Sequence, residues 1–138
     1  MISSTGLLLW SAICWVLVIP AAILNGLLRE AVLIPRLGRP LGQPLSGVLL
    51  GLVIAASAAL LVWRTGPQSS GTWLVVGAAW LLATVVFELL MVWMSGGGWA
   101  AIRAQYSFTD NDIWPLLVLW TGLAPLCMAA LRSGQSAS

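Results

Sequence analysis

Four stretches of the chain, residues 6–28, 46–63, 72–94 and 113–131, contain a single charged side chain among them, Glu88. Each is close to the ~20 apolar residues a helix needs to cross a bilayer. No water is present in the hydrocarbon core to satisfy backbone groups, so runs of this kind span as helices that bond internally. The rest of the sequence offers no competing solution. Only 7% of the 138 residues are charged and 60% are hydrophobic, whereas soluble domains carry about 25% charged residues. A soluble domain is excluded. The expected fold is an all-α polytopic membrane protein, a single domain over residues 1–138 built as a four-transmembrane-helix bundle with interfacial segments on one face.

The first run lacks Lys or Arg ahead of it and reads as a retained span, not a cleaved signal. Trp10, Trp63, Trp73, Trp93 and Trp114 fall near span ends, where amphipathic rings favour the headgroup level. Four spans put both termini and the loop 64–71 on one face, A, and the loops 29–45 and 95–112 on the other, B. Arg29, Arg36, Arg39 and Arg103 belong to face B, against Arg64 and Arg132 on face A. The positive-inside rule then turns face B to the cytoplasm. In the first B loop, Pro35, Pro40 and Pro44 argue against a long helix, and its Leu, Ile and Val content suits a segment lying in the interface. In the second, Ser95-Gly96-Gly97-Gly98 ends a helix, residues 99–106 suit a short amphipathic helix, and Asp110 and Asp112 read as an N-terminal cap rather than a calcium site.

The chain has no His, and all six basic residues are Arg. That removes lysine Schiff bases, histidine general bases and histidine-ligated metals or haem. No phosphate loop, zinc spacing or nucleophile elbow occurs, and the arginines are too dispersed for a nucleic-acid footprint. No cofactor, metal or catalytic residue is assigned, and an enzyme is the least favoured class. Cys14 and Cys127 lie within spans and read as small hydrophobes. Pro20 and Pro125 free the carbonyls of Val16 and Thr121 within their helices.

Glu88 is the informative residue. It sits six residues before the end of its span, roughly 9 Å below face B at about 1.5 Å per residue. A carboxylate at that depth has to be paired, hydrated or protonated. Thr84 and Trp80 lie one and two turns earlier on the same helical face. Asn25 and Arg29 share a face of the first span at its B end, Glu30 follows, and Arg103 and Tyr106 come from the second B loop. Asn25, Arg29, Glu30, Glu88, Arg103 and Tyr106 are therefore expected to converge near face B, with Glu88 meeting Arg29 or Arg103 directly or through water. Such a cluster suits a small ion or ligand, or an anionic lipid headgroup; equally, the same residues tie helices together and the arginines snorkel to phosphates. On the second span, Gly47, Gly51, Ala55 and Ala59 form a small-residue ridge, expected to face a neighbouring helix while Leu50, Ile54 and Leu61 face outward.

Asn25-Gly26-Leu27-Leu28-Arg29-Glu30 followed by Pro35, Gly38 and Ser46-Gly47 resembles the first half of small four-helix bacterial membrane proteins, and Phe87-Glu88, Trp99, Tyr106, Trp114 and Pro125 resemble the second. The resemblance implies a multi-pass protein of the bacterial inner membrane and no particular activity. Glu88 with aromatic neighbours is similar by analogy to the membrane carboxylate of small multidrug exporters, although it lies in the third span rather than the first. Asn25, Arg29 and Glu30 are similar in type, not in spacing, to the polar residues of membrane-associated eicosanoid and glutathione enzymes. The leading expectation is a transport- or channel-type protein with a pocket around Glu88 and Arg29. The alternatives are an accessory or assembly subunit of a membrane complex and, less favoured, a lipid-acting enzyme. Partners follow: the bilayer, an anionic lipid or small ligand, a second copy or a larger complex, and no nucleic acid.

Overall fold

The computed structural model describes residues 2–107 and 113–135. Asp110 and Asp112, with their expected cap, lie outside the described residues. Among the described residues, six α-helices run in order: α1 Ser4–Leu28, α2 Ile34–Leu37, α3 Arg39–Thr65, α4 Ser70–Met94, α5 Trp99–Gln105 and α6 Trp114–Gln135. Four helical stretches among these residues are long and apolar enough to cross a membrane: Ser4–Leu37, Arg39–Thr65, Ser70–Met94 and Trp114–Gly134. Ser3 caps α1 by accepting from the Gly6 N–H, and Ser69 caps α4 by accepting from Thr72.

The first B loop differs from the expectation of a separate, proline-broken interfacial segment. Helix α1 continues through a π turn, Arg29–Leu33, directly into α2. The wider turn, closed by the Ile34 N–H on the Arg29 carbonyl, makes room for the Pro35 ring that a regular helix would reject. The reversal is confined to Gly38, whose φ of 76° suits a residue without Cβ. Helix α3 then begins at Arg39 instead of Ser46, with Pro40 in its first turn, where a missing N–H costs nothing. A proline-rich sequence is thus compressed into a single residue of turn.

The closely packed pairs are α1 with α3, α3 with α6, and α6 with α4. Helix α3 is central, and its buried face carries Gly47, Leu50, Ile54, Ala58, Leu61, Val62 and Thr65. This corrects the expected ridge. Leu50, Ile54 and Leu61 face the core, Gly51 and Ala55 are half-buried, and Ala59 is exposed. The reason is geometric: a strict four-residue step overshoots a repeat of about 3.6 residues, so a period-four stripe rotates away from the interface along the helix. Positions 47, 50, 54, 58, 61 and 65 keep the true period. A close backbone approach lies elsewhere, where a Cβ on Gly77 of α4 would collide with the Gly122 carbonyl of α6.

Helices α1 and α4 make no comparable approach. Side chains join them. Trp80 of α4 donates from Nε1 to Ser11 Oγ of α1 at 3.0 Å, and Trp15 of α1 donates to Thr84 Oγ1 of α4 at 3.0 Å. Each helix supplies one indole and one hydroxyl to this seam.

Candidate functional site

On the face-B side of the seam, α1, α3, α4 and α6 enclose a cavity of about 90 Å³ whose lining includes Trp15, Leu50, Thr84, Phe87, Glu88 and Trp114. Trp15 meets Phe87 edge-on, with ring centroids 6.3 Å apart and planes at 85°. Trp15 is thus fixed by an indole bond on one side and a T-shaped contact on the other. Thr121 also borders the cavity, and Pro125 denies its carbonyl the usual helical partner.

Glu88 is 7% exposed. Its Oε2 accepts from the Tyr106 hydroxyl at 2.6 Å, a charge-assisted geometry when the carboxyl is ionised. Tyr106 reaches it because the chain breaks after α4 at Gly96, with φ 77°, and α5 folds back so that Tyr106, the residue after its last turn, meets the Glu88 carboxyl. Burial pushes the Tyr106 phenol above its ordinary pKa, and the hydrogen bond to Glu88 and the charge of Glu88 push it the same way. Tyr106 therefore stays a protonated donor across the physiological range. Trp114 stands close enough to act on the same carboxyl. The second oxygen, Glu88 Oε1, is buried and has no hydrogen-bond partner among the described residues. In a low-dielectric surrounding an acceptor left this way costs a few kcal/mol.

The expected site residues, Thr84 and Trp80 included, fall into three groups, with Arg103 exposed apart from them. Glu88, Tyr106 and Thr84 meet at or beside the cavity. Trp80 lies a turn deeper, bonded to Ser11. Asn25 donates from Nδ2 to Ser46 Oγ at 2.8 Å, and Arg29 pairs with its neighbour Glu30 at 3.1 Å, both on the α1–α3 side. A direct Glu88 contact with Arg29 or Arg103 is not formed: Arg29 pairs with Glu30, Arg103 is exposed on α5, and the Tyr106 hydroxyl is the donor on the carboxyl. A tyrosine satisfies a buried carboxyl without bringing a second charge out of water.

Trp15, Phe87 and Trp114 escaped the sequence reading. Trp114 was taken for an interfacial anchor. Trp15 carried a usable signal, since it lies well inside its span, too deep for a headgroup anchor. Trp10, by contrast, lies nearer the start of its helix, with the Arg64 guanidinium 5.0 Å from its ring centroid. No group of three His, Cys, Asp or Glu able to hold a metal occurs among the described residues.

Fold and site together define a class: an all-helical chain with four membrane-length helices and a buried carboxyl beside an aromatic-walled cavity. No known protein family, curated protein or solved structure matches the chain.

Proposed function

We propose that the protein is a transport-type membrane protein that holds a small alkylammonium ion in the Glu88 cavity. The observation that carries this reading is the buried, unpartnered Glu88 Oε1 at the edge of an otherwise apolar space. A ligand with one cationic donor and a compact apolar body completes that site. The ammonium answers the carboxylate, and the rings of Trp15, Phe87 and Trp114 offer π faces or edges to the remainder. Size narrows the choice. An apolar cavity of about 150 Å³ accepts benzene, so 90 Å³ suits something smaller, such as isopropylammonium. The ligand reaches the cavity from the bilayer through the α1–α4 seam, which side chains alone close. Helical spans suit the bacterial inner membrane, and exposed Arg36, Arg39 and Arg103 suit anionic headgroups at face B.

Calorimetric titration of the purified protein with isopropylammonium chloride tests the assignment. Saturable binding is expected, absent with isopropanol and weakened at least ~100-fold in Glu88→Gln, the scale of losing a charge-assisted bond. Counterflow of labelled amine into vesicles then separates transport from binding alone. Equal titrations for the parent and Glu88→Gln would sink the reading. They would favour the assembly-subunit alternative, for which the Tyr106–Glu88 bond that fastens α5 to α4 is the supporting observation.

A further inference from the structure

A second, smaller cavity lies on the α1–α3–α6 side, lined by Asn25, Arg29, Gln43, Ser46, Trp114 and Leu117 among others. Its volume is about 10 Å³, the room one water molecule requires. It is also polar, unlike the space around Glu88. Gln43 Oε1 is buried there without a hydrogen-bond partner among the described residues, and Ser46 Oγ and Arg29 border the same space. A water needs two to four polar partners, roughly what these groups supply. The two cavities share Leu50, Trp114 and Leu117 as a common wall. On one side of that wall is an acceptor needing a donor, Gln43 Oε1, and on the other is Glu88 Oε1, with the same need. Arg29, only partly buried, stands where the small cavity meets face B.

We infer that the Asn25–Arg29–Gln43–Ser46 pocket is a water site through which Glu88 exchanges protons with face B, and that Trp114 is the partition between them. Water seated on Gln43 and Ser46 stands behind the Trp114 ring. When the ring swings aside, that water reaches Glu88 Oε1. A proton leaves the carboxyl for the water, and an equivalent proton returns from face B. The carboxyl then has separate approaches: lipophilic ligand from the α1–α4 seam, and water from the opposite wall. This route rests on the reading of Glu88 as a working carboxyl, but its test does not depend on any amine binding.

The test follows the carboxylic infrared band of Glu88, identified by its loss in Glu88→Gln, after rapid mixing of the full-length protein with heavy water at acidic pH. Gln43→Leu should slow deuterium exchange by about tenfold, the rate equivalent of one lost hydrogen bond to the water. Trp114→Phe, a smaller ring, should speed it. Asn25→Leu is a second vestibule variant should Gln43→Leu fold poorly, and it too should slow exchange. Parent-like exchange in the vestibule variants would overturn the route and place water access elsewhere, under α5. Failure of isopropylammonium to bind a protein with intact exchange kinetics would count against the ligand reading alone.

Discussion

Where α4 crosses α6, Gly77 lies against the Gly122 carbonyl and no side chain separates the backbones. Where α4 faces α1, two indoles and two hydroxyls stand between the helices. The first contact gains dispersion and close packing over a continuous surface, which is what holds membrane helices together when lipid is as apolar as their side chains. The second gains a pair of directional bonds and leaves a cavity beside them. One side of α4 is therefore set by shape and the other by a few polar atoms. Stability should depend chiefly on the glycine crossing, and ligand access chiefly on the seam.

The largest effect tests the crossing. Gly77→Leu forces a side chain into the Gly122 carbonyl, and backbone cannot yield as a flexible side chain does. The cost is expected at about 3 kcal/mol or more, read as a lowered unfolding midpoint in detergent. A parent-like midpoint would mean that α4 and α6 are not held by this contact.

Next come the groups that close the cavity. Glu88→Ala leaves the Tyr106 hydroxyl without its acceptor, at a cost of about 1–3 kcal/mol; Glu88→Gln, which keeps an oxygen there, should cost less. Equal losses would show that the bond to Tyr106 contributes nothing. The same pair makes an alkaline prediction. Tyr106 titrates higher in the folded chain than at its ordinary value of 10.0. Stability from the neutral phenol is therefore full below that pH and is lost as pH climbs through the raised folded value. Tyr106→Phe should flatten that alkaline loss in a pH series of unfolding midpoints.

The four helices of membrane length were legible because bilayer length and backbone satisfaction leave few alternatives, and Glu88 stood out as the one carboxyl within the four apolar runs. The segment 29–45 was not legible. Three prolines argue for interruption, yet a π turn accommodates Pro35, the reversal at Gly38 puts Pro40 in the first turn of α3, and Pro44 is carried inside that helix. The site was half legible: Tyr106 and Glu88 were grouped correctly by depth, but charge complementarity pointed to arginine. Burial favours a neutral donor, and an arginine near the interface finds its neighbour Glu30 at less desolvation cost. The bridging indoles depend on which helices are adjacent, and periodicity within one span carries no such information.

The seam itself is sharpened by Trp15→Phe. The ring survives against Phe87, but the bond to Thr84 is lost. About 1 kcal/mol of stability should go, while isopropylammonium should both enter and leave the cavity faster, measured as association and dissociation rates that rise together. Unchanged dissociation would indicate that ligand does not pass between α1 and α4.

The smallest effect separates true interface from apparent ridge on α3. Gly51 and Ala59 share a period-four stripe with Gly47, but the stripe turns outward along the helix, and Ala59 is exposed. A Cβ on Gly51 would meet Leu117 at 3.6 Å, an ordinary contact, whereas one on Gly47 would press into the Ile113 side chain. Ala59→Leu places an apolar side chain toward lipid and should stay within about 0.5 kcal/mol of the parent. Gly51→Ala should be neutral to slightly stabilising, since the Cβ meets Leu117 at an ordinary distance and the unfolded chain loses glycine's freedom. Gly47→Ala should be the one substitution of the three that destabilises, because Ile113 has to shift. If Ala59→Leu proved as damaging as Gly47→Ala in the same unfolding series, the outer half of the ridge would be packed against protein, and α3 would have a second interface facing another copy of the chain.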